Sequence, residues 1–246
     1  MTGAPDGFAS RWREAAGLRL HALKWDGGGG MPVVLLPGLV TASRSMIRLG
    51  RELAGHGMHG WILDPPGFGY SDKPRRALSI REQAAVIGQW LALDGVRPAL
   101  LLGNSFGSQV AAAVATGHRG AVGRLVLLNP TVAPAVRQRL SWLRVLPTRA
   151  ARGARPSGRW RAGLLSRLHG GLGDDPALRV LNVAEYGCAS LPRAAGTLRA
   201  AVTEPIEQML PGITAPALVI RGDRGSGTGT PGTACPPAGC WSARSC

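Results

Sequence analysis

The sequence has few of the features that mark membrane-spanning, disulfide-bonded or metal-binding proteins. No apolar run approaches the length of a membrane span, and the longest, 33–36 and 99–102, have the length of a strand. Three of the four cysteines lie in the last 12 residues, where C-x4-C-x5-C spacing lacks a fourth ligand. We therefore expect no zinc site, no other metal and no cofactor. The first ten residues lack the basic start and apolar core of a signal peptide, which favours a cytoplasmic protein without disulfides.

Acidic residues are also scarce. The chain has 14 Asp and Glu against 29 Lys and Arg, a formal net charge of +15, and no acidic residue lies between Asp94 and Asp174. Only two of the basic residues are lysines. An arginine excess together with many Ala and Gly is typical of a GC-rich coding sequence, so we expect no nucleic-acid partner. Two other interpretations stay open: binding to an anionic surface, or attraction of an acidic small-molecule substrate by the arginine-rich stretch.

The remaining composition favours one α/β domain. The 246 residues are 45% hydrophobic, which is enough apolar material for a core. Short apolar runs alternate with helical periodicity, as expected for a mostly parallel sheet with helices on both faces. Ser79 and Glu82 have capping-box spacing. The pattern predicts an antiparallel edge strand at 17–25, further strands at 31–36, 59–63, 99–102 and 124–128, and helices at 43–55, 79–93 and 105–116.

The chain divides into four regions by composition. Residues 1–130 form the predicted core, and 131–211 form an arginine-rich helical insertion, which we interpret as a cap with a late helix at 198–210. Residues 212–225 return to the core with a strand at 217–220. Residues 226–246 contain no Val, Ile, Leu, Met or Phe, so we expect a disordered tail.

A candidate nucleophile lies between a predicted strand and a predicted helix. Gly103-Asn104-Ser105-Phe106-Gly107 follows the apolar run 99–102 and precedes a run of small residues. A serine in a sharp strand-to-helix turn needs small neighbours, because backbones approach closely there, and Gly103 and Gly107 meet that need. The turn would place the Ser105 hydroxyl at a helix N-terminus, where developing negative charge is favoured.

Two further motifs, together with this one, resemble the α/β-hydrolase superfamily over residues 17–225. Leu35-Leu-Pro-Gly-Leu39 lies where those enzymes usually have His-Gly, and 64–74 resembles their D-x-P-G-x-G-x-S-D-x-P loop. The resemblance implies an α/β-hydrolase fold with a helical cap, and an esterase-like serine hydrolase acting on small molecules. It also implies that Ser105 is the nucleophile and that the backbone N–H groups of Leu39 and Phe106 form the oxyanion hole.

Structural roles have to be weighed against these functional ones. Ser105 can instead be a helix N-cap, as serines before helices commonly are. Asp64 and Asp72 precede the nucleophile, whereas this fold orders its triad Ser, acid, His, so we expect them to be loop-capping and turn residues. Asn129, where some relatives place the acid, has no charge to orient an imidazolium.

The other two members of a triad are not found where the resemblance places them. Gly225 occupies the expected acid position, and Asp223, two residues earlier, is a weak candidate. No histidine follows His169. We expect all five histidines to be solvated or packing residues rather than bases: His21, His56, His59, His118 and His169.

A single event would explain the missing acid, base and last strands together with the change of composition near residue 225. We hypothesise a frameshift or aberrant end, which would leave the last strands and helix missing and one apolar sheet edge exposed. The chain as written is then expected to be inactive or nearly so, with a non-catalytic ligand-binding protein of the same fold as the alternative.

Overall fold

Eight strands form one sheet in the computed structural model, which describes residues 4–93, 96–130, 190–221 and 240–244. The order across the sheet is β1-β2-β4-β3-β5-β6-β7-β8. In this spatial order, the six strands β4-β3-β5-β6-β7-β8 each run parallel to their neighbours. β2 lies antiparallel to both β1 and β4. The strands are β1 Ala9–Ala15, β2 Leu18–Trp25, β3 Val33–Leu36, β4 Gly60–Leu63, β5 Ala99–Asn104, β6 Val122–Leu128, β7 Ala217–Arg221 and β8 Cys240–Arg244.

Helices cover both faces of this sheet, as predicted. On one face, α2 (Ile80–Leu91), α3 (Phe106–Gly117) and α4 (Leu191–Thr203) contribute to one buried apolar cluster. On the other face, α1 (Ile47–Gly55) packs against a second cluster built around Trp25 and Ile62. None of the described helices is long and apolar enough to cross a membrane. The prediction of a mostly parallel α/β sheet is therefore confirmed.

The parallel strands bring their carboxyl ends to one edge of the sheet. In the register, Leu36 at the end of β3 pairs with Gly103 near the end of β5, and Gly103 pairs with Leu127 of β6. The loops that follow these three strands therefore begin side by side. Ligand sites of open α/β sheets are formed at this edge.

The predicted capping box opens α2. The Ser79 hydroxyl accepts a hydrogen bond from the Glu82 N–H, and the Glu82 carboxylate accepts one from the Ser79 N–H. These two bonds satisfy backbone donors that have no partner within the helix. The Glu204 carboxylate accepts from the next two amides, those of Ile80 and Arg81.

The amino-terminal hairpin differs from the prediction. The strand predicted at 17–25 is antiparallel, but it is not an edge strand, because β1 covers its outer side. Sequence reasoning missed β1 because three of its seven residues are exposed and its burial does not alternate. Both faces of β2 are buried: Leu20 and Ala22 enter one apolar cluster, and Leu23 and Trp25 enter the other.

The helix predicted at 198–210 begins earlier and ends sooner. It spans Leu191–Thr203, with Pro192 in its first turn, and two short 3-10 turns follow it. Proline is well tolerated in a first helical turn because no intrahelical partner is lost there. Pro205 disfavours a helical conformation at Glu204, which explains the end of the helix. The rest of the predicted cap, 131–189, lies outside the described residues.

The prediction of a disordered tail at 226–246 is wrong for one segment. Cys240–Arg244 forms β8, parallel to β7, with Ala217 opposite Cys240 and Arg221 opposite Arg244. The edge beside β7 that we expected to be exposed is therefore paired, and a last strand is present where none was expected. Sequence reasoning failed because pairing at an open edge uses backbone N–H and C=O groups and does not require an aliphatic side chain.

The charge on Glu82 should make the α2 cap sensitive to acid. Arg76 hydrogen bonds to both carboxylate oxygens of Glu82, and this bond, with that from the Ser79 N–H, lowers the Glu82 pKa from 4.5 to about 2. A lowered pKa contributes stability that is complete above about pH 4.5 and is lost as the pH falls toward 2. We expect Glu82→Gln to lower the urea midpoint slightly at pH 7 and not at pH 2, because the pair is exposed to solvent.

Arg76→Gln and the double variant provide the control for this prediction. The double variant should lose the same pH-dependent increment as Glu82→Gln, whereas Arg76→Gln should lose only the largest part of it, because the bond from the Ser79 N–H still lowers the Glu82 pKa. An equal difference between wild type and Glu82→Gln at pH 2 and pH 7 would contradict the assignment.

Candidate functional site

Ser105 occupies a strained turn between β5 and α3. Its backbone has φ 54° and ψ −116°, a left-handed φ that side chains other than glycine rarely adopt. The side chain is partly exposed and makes no capping hydrogen bond to α3. The alternative that Ser105 is only a helix N-cap therefore has no hydrogen bond to support it.

Two glycines allow three backbones to meet at this turn. A methyl group built on Gly103 would collide with the backbone of Gly107, and one built on Gly107 would collide with the carbonyl oxygens of Leu36 and Pro37. Any larger residue at either position would force β5, α3 and the end of β3 apart. This close approach is the reason that the turn needs glycine on both sides of the serine.

The loop after β3 runs past the Ser105 side chain. A methyl group built on Gly38 would lie 3.6 Å from the Ser105 Cβ atom. The Gly38 carbonyl accepts a hydrogen bond from the Thr41 hydroxyl (3.1 Å), and Val40 has a positive φ of 61°, so the chain turns sharply here. Among the described residues, the N–H groups of Leu39 and Phe106 have no hydrogen-bond acceptor. Both residues are buried.

The Ser108 side chain links the Ser105 turn to the ends of β5 and β6, a role that the sequence did not suggest. Its hydroxyl lies 2.7 Å from the Gly103 carbonyl oxygen, to which it donates, and 3.0 Å from that of Leu128. The Ser105 N–H donates to the same Leu128 carbonyl at 2.8 Å. The nucleophile turn is thus anchored to the end of β6. The signal that could have found Ser108 is its position three residues into a helix that starts at a strained turn.

None of the described histidines lies beside Ser105. His56 and His59 precede β4 and so lie at the opposite edge of the sheet. His118 follows α3, about 18 Å along the helix axis from its start, and its ring packs against Gly88. Two strands separate β2, which carries His21, from β5. His169, the weak acid candidate Asp223 and the expected acid position Gly225 lie outside the described residues.

Asp64 organises the loop that follows β4, in agreement with its predicted role. One carboxylate oxygen accepts a hydrogen bond from the Ser43 N–H (2.6 Å), and the other accepts from the Tyr70 N–H (2.8 Å). The carboxylate also lies against Gly69, where any side chain would collide with it. Asp72 instead contacts a distant strand, since its carboxylate accepts from the Arg19 N–H of β2 at 2.8 Å.

His21 is not solvated, which corrects one of the two roles expected for it. Its ring is fully buried, Nδ1 lies 2.7 Å from an Asp64 carboxylate oxygen, and Nε2 lies 3.1 Å from the Ser10 hydroxyl oxygen. Sequence reasoning missed this cluster because its three members are far apart in the chain. The cluster could have been suspected from the position of His21 in a predicted strand, where a side chain can point into the protein.

Arg193 connects α4 to the same loop. Its guanidinium donates two hydrogen bonds to the Pro74 carbonyl, at 3.1 and 3.0 Å, and its aliphatic part lies against Gly67. Partial burial lowers the pKa of this guanidinium. Within the described ranges, no group of three or more His, Cys, Asp or Glu side chains is placed to hold a metal ion.

Comparison with known families gives one match that covers most of the chain. The model of a family described as having the alpha/beta hydrolase fold matches residues 31–222. This range includes the Ser105 turn, the loop after β3 and the loop after β4. No curated protein matches the sequence.

Solved structures with different activities share the fold. A membrane phospholipase A described as a bacterial virulence factor is 28% identical, with 89% of this chain and 71% of that chain covered and a TM-score of 0.63. An enol-lactonase from Burkholderia xenovorans LB400 is 20% identical, with 95% and 90% covered and a TM-score of 0.67. Epoxide hydrolase A from Mycobacterium thermoresistibile is 19% identical, with 88% and 82% covered and a TM-score of 0.64. At such identities the last two show a common fold only.

The contact between Gly107 and the end of β3 can be tested by adding one methyl group. We expect Gly107→Ala to lower the free energy of unfolding by about 1–3 kcal/mol, because the methyl collides with backbone carbonyls that cannot rotate away. Urea unfolding followed by tryptophan fluorescence measures the change.

Gly55→Ala is the matched control. Gly55 ends α1 with open space around it, so the same substitution should leave stability unchanged or raise it by about 0.4–1 kcal/mol. Equal effects of the two substitutions would show that the close approach at Gly107 is not a constraint.

Proposed function

The chain belongs to the alpha/beta hydrolase fold family, and from this premise we propose that it is a serine hydrolase of small ester or related acyl substrates, with Ser105 as the nucleophile. The observation that carries the proposal is the left-handed backbone at Ser105, with its side chain beside Gly38 at the carboxyl edge of the sheet. Strain of this kind persists only where the surrounding structure imposes it, and it concentrates at active sites.

In this proposal the Ser105 hydroxyl attacks the acyl carbonyl carbon. The N–H groups of Leu39 and Phe106 receive the oxyanion, since neither has an acceptor among the described residues. Each such donor is typically worth about 3 kcal/mol in the transition state. Phe106 is also the first residue of α3, so the helix N-terminus adds a favourable field for the developing negative charge.

The described part of this site has no base beside Ser105 to activate its hydroxyl. A serine hydroxyl needs a neighbouring base to accept its proton, and no described histidine lies beside it. Loss of one triad member leaves only the catalysis of the oxyanion hole and substrate binding, about 10³- to 10⁴-fold over water. We therefore propose slow acylation and slow turnover for this chain.

The substrate is proposed to be a small molecule that can carry negative charge. The stretch without acidic residues, 95–173, contains most of the arginines of the predicted cap, and such a field raises the local concentration of anions. The relative that is 28% identical is a phospholipase, which is consistent with an ester substrate.

A second candidate function is ligand binding without turnover. The positions of the described histidines support it, since His21, His56, His59 and His118 all lie away from Ser105. Such a protein would keep the Ser105 turn and the N–H groups of Leu39 and Phe106 as a binding site for a carbonyl group.

Labelling with a fluorophosphonate distinguishes the two functions. We expect the full chain to label slowly at Ser105, at least about 10⁴-fold more slowly than an intact triad, and to lose this label in Ser105→Ala. Added imidazole should accelerate labelling, because it supplies the missing base. Mass spectrometry of the labelled peptide identifies the site.

Ser108→Ala, which removes a buried hydroxyl next to the turn, controls for damage to the fold. It should keep part of the label, whereas Ser105→Ala should keep none at that position. Ester binding without any label at Ser105, with or without imidazole, would overturn the nucleophile assignment and favour ligand binding.

A further inference from the structure

A second serine, Ser10 in β1, makes the contacts that activate a nucleophile. The Ser10 hydroxyl oxygen lies 3.1 Å from His21 Nε2, and His21 Nδ1 lies 2.7 Å from an Asp64 carboxylate oxygen. Both distances fall within the range at which a nucleophile and its base, and the base and its orienting group, form hydrogen bonds. Chain order gives no hint of this arrangement, because the three residues lie in β1, β2 and the loop after β4.

The carboxylate determines which nitrogen of His21 carries the proton. A carboxylate oxygen can only accept, so Nδ1 donates to Asp64. In the neutral ring Nε2 is then an acceptor, and the Ser10 O–H donates to it. This is the protonation pattern in which a histidine removes a proton from serine.

Anchoring of the loop explains only part of this cluster. Asp64 is held by the N–H groups of Ser43 and Tyr70 and by His21 Nδ1, which together fix the loop after β4. None of these bonds involves Ser10 or Nε2. The bond from Ser10 to a fully buried histidine therefore adds nothing to the attachment of the loop itself.

Ser10 lies at the protein surface near two exposed aromatic rings. Ser10 is partly exposed on β1, the edge strand of the sheet, and Trp12 lies two residues further on the same face. The Trp12 and Tyr70 rings both contact His21, with centroids at 4.6 and 5.1 Å, yet 44% and 45% of these two residues is exposed. Exposed aromatic rings beside a buried histidine form a suitable platform for an apolar group.

The cluster is separate from the Ser105 turn. β2 is the third strand from β5 in the sheet order, which corresponds to about 14 Å at the spacing of neighbouring strands. His21 therefore cannot serve as the base for Ser105 while it is bonded to Ser10.

We propose that Ser10, His21 and Asp64 form a second acyl-transfer site, with Ser10 as nucleophile, His21 as base and Asp64 as a positioning residue. Ser10 Oγ bonds to the acyl carbon of an ester while its proton passes to Nε2. The bond from that carbon to the leaving oxygen then breaks, and the alcohol takes the proton from Nε2. A water molecule releases the acyl group by the same steps and restores Ser10.

The substrate class follows from the platform. A small aryl or short acyl ester can place its apolar part against Trp12 and Tyr70 while its carbonyl carbon reaches Ser10. The edge position on β1 excludes a deeply enclosed substrate.

The test uses the full chain carrying Ser105→Ala, so that any remaining label cannot come from the proposed nucleophile of the first site. An aryl fluorophosphonate is added, and label at each serine is measured by peptide mass spectrometry. Ser45 is the matched reference, because it is also partly exposed and its hydroxyl donates to the Ala42 carbonyl at 2.7 Å rather than to a base. We expect Ser10 to label about 10²-fold faster than Ser45, the lower end of what general-base assistance supplies.

Two further variants complete the experiment. Ser10→Ala should remove the label without changing the melting temperature by more than a surface substitution does, and His21→Gln should reduce the rate at Ser10 to that at Ser45. If His21→Gln does not fold, the ratio of Ser10 to Ser45 in the folded Ser105→Ala protein decides alone. Equal rates at these two serines would overturn the second site and leave the Ser105 proposal untouched.

Discussion

The approach of three backbones at the carboxyl end of β5 is the constraint on which the candidate site depends. Gly103, Gly107 and the carbonyls of Leu36 and Pro37 are in contact there, so the end of β3, the end of β5 and the start of α3 have little freedom. The left-handed backbone at Ser105 is the consequence, because the chain must reverse direction without moving away from β3. Ser108 then fixes the turn to β6.

Much of this arrangement could be predicted from the sequence, because the signals are local. The strand before Ser105, the helix after it and the need for glycine on each side follow from neighbouring residues, and so does the capping box at Ser79. The boundaries of α4 were harder to predict from the sequence. The periodicity of apolar residues predicted its late part, but Pro192 and Pro205 determined where the helix begins and ends.

The features that could not be predicted depend on contacts between distant segments. β1 and β8 form because an edge offers unpaired backbone groups, and neither has the apolar alternation by which strands are recognised. The burial of His21 depends on Asp64, 43 residues later in the chain, and on Ser10, 11 residues earlier. Chain order, which we used to separate Asp64 from a triad with Ser105, gave no information about the pairing of Asp64 with His21 or of His21 with Ser10.

The hydrogen bonds of Asp64 also affect which segments of the protein can unfold locally. This one buried carboxylate accepts from the Ser43 N–H, the Tyr70 N–H and His21 Nδ1, so three donors share a single charge. Detaching any one of them removes a donor from a charge that water cannot reach, which costs more than the loss of an ordinary surface contact. We therefore expect the amino-terminal hairpin and the two loops to unfold together as one cooperative unit.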